Sequence, residues 1–262
     1  MREEAMDTDS VTHRRHRIPV SGGELDAVAV GPKAGTERWV LLVHGGPGGD
    51  KNGPANLYKE LSAQLATEGI GSLRFDIRGA GESTGRYRDM TIARQVEDLS
   101  AARTFLASAY APSSIGIVGE SFGATTALAG LHNTEQALVL LWPAIWLLDD
   151  VFNSYVDEMS LTEARSQGFI VRDDEEIGLA FLSELLEMRD VSSALAGLQI
   201  PVLLIHGDED TEVPVAQSVR GEQLVAGPVR RVIVPGGDHC LEKPSERVIV
   251  YQETVEWLTT HL

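Results

Sequence analysis

The chain has 262 residues, of which 39 are acidic and 22 basic, giving a net charge of −17. A charge of that size repels phosphate backbones and anionic surfaces, so neither nucleic acid nor a membrane is an expected partner. At 43% hydrophobic and 23% charged residues the composition is globular, and the length suits one sizeable α/β domain with a small insertion.

The first 17 residues, MREEAMDTDSVTHRRHR, carry charges of both signs without an apolar stretch. They read as a mobile tail over 1–16 and not as a secretory signal. The single cysteine, Cys240, allows no intrachain disulfide and fits a reducing compartment, so a cytoplasmic location is expected. The longest apolar run, ALVLLWPAIWLL over 137–148, has twelve residues and contains Pro143, whereas a spanning helix needs about 20.

From Arg17, IPVSGGELDAVAVGP predicts two strands joined at Ser21-Gly22-Gly23. WVLLVHGGPGG is a continuous apolar run that ends in glycines, the form of a strand buried on both faces of a parallel sheet. Leu57, Leu61 and Leu65 recur at helical spacing before Gly69. A strand in GIGSLRFDIRG, a helix in TIARQVEDLSAARTFLAS and a strand in SIGIVG follow. The helix FGATTALAGLH is made of small residues suited to close packing, and ALVLLWPA is a further strand. After an interruption come PVLLIHGDED (strand), VAQSVRGEQLV (helix), RRVIVPGGDH (strand) and SERVIVYQETVEWLTTHL (helix). This alternation predicts a mostly parallel sheet with helices on both faces, its core made of residues 17–142 and 198–262.

The interruption, 143–197, reads as a helical cap. Between Asp149 and Asp190 it holds 12 acidic and 3 basic residues, a net of 3 − 12 = −9. Its apolar residues, among them Trp146, Phe152, Tyr155, Met159, Phe169, Ile170, Phe181 and Leu182, would cover the carboxyl ends of the strands, where ligands of open α/β sheets bind.

GESFG, residues 119–123, lies between a strand and a helix, the context a nucleophile elbow requires. Ser121 is then the candidate nucleophile, and Phe122 at the helix start offers its N–H to an oxyanion. A serine at its ordinary pKa needs a base, and the base an orienter. His239 follows the strand RRVIV and Asp210 follows PVLLI, so both fall on the sheet edge that holds Ser121. Asp208 is a second candidate for the acid. The turn HGGPGG supplies a second oxyanion donor, assigned to Gly46, with His44 and Gly45 shaping the loop. Neither a dinucleotide fingerprint nor a P-loop is present, HExxH is absent and no His/Cys cluster has ligand spacing, so no cofactor and no metal are expected.

These segments resemble the α/β hydrolase superfamily over nearly the whole chain: HGGPGG, GESFG, HGDEDTEVP and GGDH occur in order, and DIRGAGES (76–83) matches its Asp-x-Arg-Gly-x-Gly-x-Ser loop. The resemblance implies an α/β-hydrolase fold with Ser121 as nucleophile, His239 as general base and acid, Asp210 as orienter, and Gly46 and Phe122 as oxyanion donors. HGGPGG is similar to the loop of proline iminopeptidases, but GESFG departs from their Gly-Gly-Ser-Trp-Gly. The elbow, the length and the modest cap look more like feruloyl esterase-like and monoacylglycerol lipase-like hydrolases. The expectation is hydrolysis of a carboxylic ester on a small-molecule acyl substrate, with Trp142, Trp146, Phe152 and Met159 as candidate pocket residues. The alternatives are an acyl-thioesterase or cyclase, a carbon–carbon bond hydrolase and an aminopeptidase. An acidic cap argues against docking an acidic carrier protein or coenzyme A.

Overall fold

The computed structural model describes residues 11–132 and 134–262. In chain order the core elements are β1 (Val11–Val20), β2 (Gly23–Pro32), β3 (Arg38–Val43), α1 (Leu57–Thr67), β4 (Gly71–Phe75), α2 (Ile92–Tyr110), β5 (Ser114–Glu120), α3 (Phe122–Ala129) and β6 (Ala137–Leu141). The inserted segment then contributes α4 (Glu158–Gln167), β7 (Phe169–Arg172), β8 (Glu175–Gly178) and α5 (Leu179–Met188). The core resumes with β9 (Val202–Gly207), α6 (Ala216–Glu222), β10 (Val229–Val234) and α7 (Pro244–His261).

Among the described residues, eight strands form one sheet in the order β1-β2-β4-β3-β5-β6-β9-β10. β1, β2 and β4 pair antiparallel, and every pairing from β4 onward is parallel. The pleat sends alternate side chains to opposite faces. Leu41 and Val43 of β3 therefore join α2 and α3 in one core, while Val40 and Leu42 join α1 and α7 in the other. The leucines at helical spacing, Leu57, Leu61 and Leu65, are all fully buried in that second core. α2 starts where Thr91 accepts a bond from the Arg94 N–H, an N-cap that satisfies one of the helix's free donors. This is the α/β-hydrolase architecture expected from the motifs.

Two expectations change. The tail was placed at 1–16; residues 1–10 lie outside the described residues, but residues 11–16 belong to β1. Their charges concealed the strand: β1 is an edge strand whose exposed arginines suit solvent, and Arg15 and Arg17 both reach the buried Asp26 of β2 (2.7 and 3.3 Å). His16 also meets the Tyr110 hydroxyl of α2 at 2.8 Å. The inserted segment is not wholly helical either. FIVR and EEIG form an antiparallel hairpin that pairs Ile170 with Ile177, both buried. Its turn is Asp173-Asp174, both left-handed (φ 50° and 63°), a conformation aspartate tolerates better than most residues. The aromatic residues Phe152 and Phe181 seat the segment on the core: both rings meet Phe122 edge-on, at 5.3 and 5.5 Å between centroids.

Candidate active site

Ser121 stands between β5 and α3 with φ 51° and ψ −120°, a positive φ that a non-glycine residue adopts only when its surroundings impose it. The flanking glycines make that turn possible. A Cβ on Gly119 would fall 2.7 Å from the Gly123 carbonyl oxygen, and one on Gly123 would collide with the Val43 carbonyl and come within 2.6 Å of that of His44.

The structure brings the three sequence-selected residues together. His239 Nε2 is 3.1 Å from Ser121 Oγ, and His239 Nδ1 is 2.8 Å from Asp210 Oδ2. The other Asp210 oxygen, Oδ1, accepts the N–H groups of Glu212 and Val213, each at 2.9 Å. Burial acts to raise the Asp210 carboxyl, but hydrogen bonds from His206 and His239 and the charge of His239 outweigh it and hold the group well below the usual carboxylate range. Burial likewise acts to lower His239, and the Asp210 bond and charge, with smaller help from Glu212 and Glu120, raise it overall. Asp208 is occupied elsewhere, where its Oδ1 accepts the Gly236 N–H at 2.6 Å.

The glycine loop after β3 is clamped from both sides. Gly45 N–H donates to Glu120 Oε1 at 2.5 Å, and Trp142 Nε1–H donates to Glu120 Oε2 at 3.3 Å. Gly46 lines the cavity over Ser121. Phe122 opens α3, so its N–H is one of those a helix leaves without an intrahelical partner. His44 accepts the Ile77 N–H on Nε2, so Nδ1 carries the proton it donates to the Gly45 carbonyl. Downstream, Lys51 Nζ lies 2.8 Å from Asp76, 2.9 Å from Asp26 and 3.1 Å from Glu82, which ties the loop to β2 and to the DIRGAGES segment. Arg78 of that segment holds Asp98 and Glu97 (2.6 and 2.7 Å). The segment is a brace.

A cavity of about 480 Å³ opens over Ser121 and His239, and Glu120, Glu212, Asp173 and Cys240 help to line it. The four expected pocket residues lie elsewhere. Trp142 is fully buried beneath the site, with its ring edge-on to His239. Phe152 packs on Phe122, and Trp146 is covered by the Arg220 guanidinium 3.9 Å from its ring centroid. Met159 is 75% exposed on α4. Trp142 serves the core beneath the sheet edge, Phe152 and Trp146 the seating of the segment, and Met159 the outer surface, because the segment turns its hairpin tip, and not its aromatic residues, towards Ser121. Cys240 is half-buried, and burial pushes its thiol well above the usual range, so it is no thiolate. Sequence reasoning missed Glu120, Lys51, Asp173 and Glu212. Only Glu120 left a signal there: a charge at the end of an apolar strand needs a buried partner.

The sheet order, the strained serine between strand and helix, and the acid and base on turns after later strands define an α/β hydrolase fold. Within that fold the chain belongs to the prolyl oligopeptidase family, whose profile matches residues 58–262. An uncharacterized protein of Mycobacterium tuberculosis is 31% identical over 202 residues, covering 76% of this chain and 62% of that protein. The acylamino-acid-releasing enzyme of Mus musculus is 24% identical over 238 residues, covering 85% of this chain and 31% of the enzyme. The chain thus spans about a third to three fifths of the length of these curated relatives. Est1E from Butyrivibrio proteoclasticus, solved with ferulic acid bound, superposes with a TM-score of 0.77 at 20% identity, covering 94% of this chain and 98% of that one. No helix among the described residues is long and apolar enough to cross a membrane.

Proposed function

We propose that the protein is a serine hydrolase that cleaves a carboxylic ester through an acyl-enzyme. The continuous path from Asp210 through His239 to Ser121, at 2.8 and 3.1 Å, carries this reading. His239 takes the Ser121 proton as Oγ attacks the carbonyl carbon, and the N–H groups of Gly46 and Phe122 receive the oxyanion. His239 then protonates the leaving oxygen as the acyl–oxygen bond breaks. Water enters, gives its proton to His239 and attacks the acyl carbon, after which His239 returns the proton to Ser121. Asp210 keeps the Nδ1–H tautomer throughout.

The likeness to Est1E, with ferulic acid bound, supports an ester, whereas the family and the acylamino-acid-releasing enzyme keep a peptide bond as the second reading. The test is hydrolysis of p-nitrophenyl esters from acetate to laurate, set beside aminoacyl p-nitroanilides, by the native chain and by Ser121→Ala. Loss of ester turnover in the variant supports the proposal. Turnover of anilides alone transfers it to peptide chemistry. Because glycines and carboxylates line the cavity while Trp142, Trp146, Phe152 and Met159 lie outside it, acetate and butyrate should exceed laurate in kcat/KM.

A further inference from the structure

The cavity over Ser121 is lined by carboxylates from four separate parts of the chain: Asp50 after β3, Glu120 at the end of β5, Asp173 at the hairpin tip and Glu212 after β9. Among the described residues that line it there is no lysine or arginine. Cations around it are held by partners of their own. Lys51 is held by Asp26, Asp76 and Glu82, Arg172 bonds Ser160 Oγ at 2.7 Å, and Arg247 donates to the Pro54 carbonyl at 2.8 Å.

The four carboxylates do not converge as metal ligands do. Among the described residues the acidic oxygens that meet at one point are those of Asp26, Asp76 and Glu82, and the Lys51 ammonium already sits between them. A dispersed negative lining fits an organic cation better than a metal ion. The lining acts on its neighbours: after burial, Glu120 and Glu212 help to push the Cys240 thiol up. Burial, with Asp173 and, less, Glu212 among the smaller causes, takes the Tyr155 phenol up to about 12.

Ser121 and His239, 3.1 Å apart, open into the same cavity, which marks it independently as a place for a ligand. Tyr87 is only 6% exposed, and its hydroxyl has no hydrogen-bond partner among the described residues. That hydroxyl abuts Gly46 in the cavity wall so closely that a Cβ on Gly46 would collide with it. Tyr87 thus backs the cavity wall and is not among the residues that line the cavity.

Resting on the ester-hydrolase reading, we propose that the site selects substrates that carry a fixed positive charge, an alkylammonium or guanidinium group, held by Asp173 and Glu212 while the acyl carbon lies at Ser121. Glu120 adds to the field but is engaged with Gly45 and Trp142, and Asp50 accepts the Asn52 N–H at 2.6 Å, so selectivity resides in the other two. Two partly solvated ion pairs correspond to roughly tenfold in kcat/KM.

The test uses an isosteric pair of p-nitrophenyl esters, 4-(trimethylammonio)butyrate and 5,5-dimethylhexanoate, with each kcat/KM divided by the hydroxide-catalysed rate of the same ester. In parallel, choline and its neutral isostere 3,3-dimethylbutan-1-ol are compared as protectants of Ser121 against a neutral fluorophosphonate, which reads occupancy of the cavity without ester turnover. The expected result is a preference for the cation of about tenfold in both assays. It should fall below about threefold in Asp173→Asn/Glu212→Gln and shrink in the native chain as salt is raised. Asparagine keeps the left-handed turn at 173, and should the double variant fail to fold, Asp173→Asn alone and the salt titration carry the test. Equal protection by the two alcohols overturns the inference, as does an equal normalised rate. Failure to turn over either ester while choline still protects overturns the ester reading and leaves cation selection standing.

Discussion

Replacing Glu120 by glutamine tests the clamp on the glycine loop. In the native site the two carboxylate oxygens each take one buried donor, Gly45 N–H at 2.5 Å and Trp142 Nε1–H at 3.3 Å, on a side chain that is 4% exposed. A carboxamide has one oxygen. If that oxygen keeps Gly45, its NH₂ faces the indole N–H, and a buried donor is left unmatched at a cost of about 1–3 kcal/mol. The bond to Gly45 also ceases to be charge-assisted, which removes roughly another 1 kcal/mol. The expected loss is therefore about 2–4 kcal/mol, or some 5–15 °C in melting temperature for a domain of this size. Urea unfolding reads the stability directly. In turnover, kcat should fall more than KM rises, because the loop that presents Gly46 loses its fixed position. The acid limb of the pH profile should move down, because Glu120 is one of the charges that raise His239. A variant with native stability and a native pH profile would refute the clamp.

Asp210→Asn should keep the fold and lower kcat by about 10⁴, since asparagine cannot hold the Nδ1–H tautomer of His239; circular dichroism together with single-turnover kinetics checks both halves. In the proposed mechanism the free-base form of His239 acts, and its pKa is raised above 6.5, so kcat/KM should climb through a limb centred above pH 6.5. The same shift stabilises the fold fully below pH 6.5, the unfolded value, and that contribution is lost as pH rises through the folded one; a His239→Gln difference in urea midpoints across that range measures it. Lys51→Met leaves the fully buried Asp26 and Asp76 without their shared ammonium, and should cost about 3–5 kcal/mol in urea unfolding.

The parts of the site that depend on chain direction alone were legible in the sequence. Continuous apolar runs marked β3, β5 and β9, and whatever follows a parallel strand must lie at its carboxyl end, which placed Ser121, Asp210 and the HGGPGG loop on one edge without knowledge of any contact. The resemblance favours Asp210 over Asp208, and the turn gives the physical reason: Asp208 spends its oxygen on Gly236. The segment between β6 and β9 was opaque because its apolar residues say only that something is buried. Whether Phe152 meets a substrate or Phe122 depends on how the segment sits, and Met159, chosen for the same hydrophobicity, ends at the surface. The first part of β1, ahead of Arg17, was missed for the opposite reason: an edge strand needs few apolar residues, and VTHRRHR supplied charges whose partners lie on β2 and in the DIRGAGES loop.

Phe122 joins two tasks in one residue. In the proposed mechanism its N–H meets the charge that develops on the substrate, while its ring is the floor on which Phe152 and Phe181 rest. Exchanging the inserted segment for one from another hydrolase is consequently no neutral graft: any newcomer must supply aromatic edges to the same ring, or the donor behind that ring drifts. The hairpin tip at Asp173 carries no such obligation. It is the part of the segment that can diverge in chemistry while the rest stays in register with the catalytic machinery.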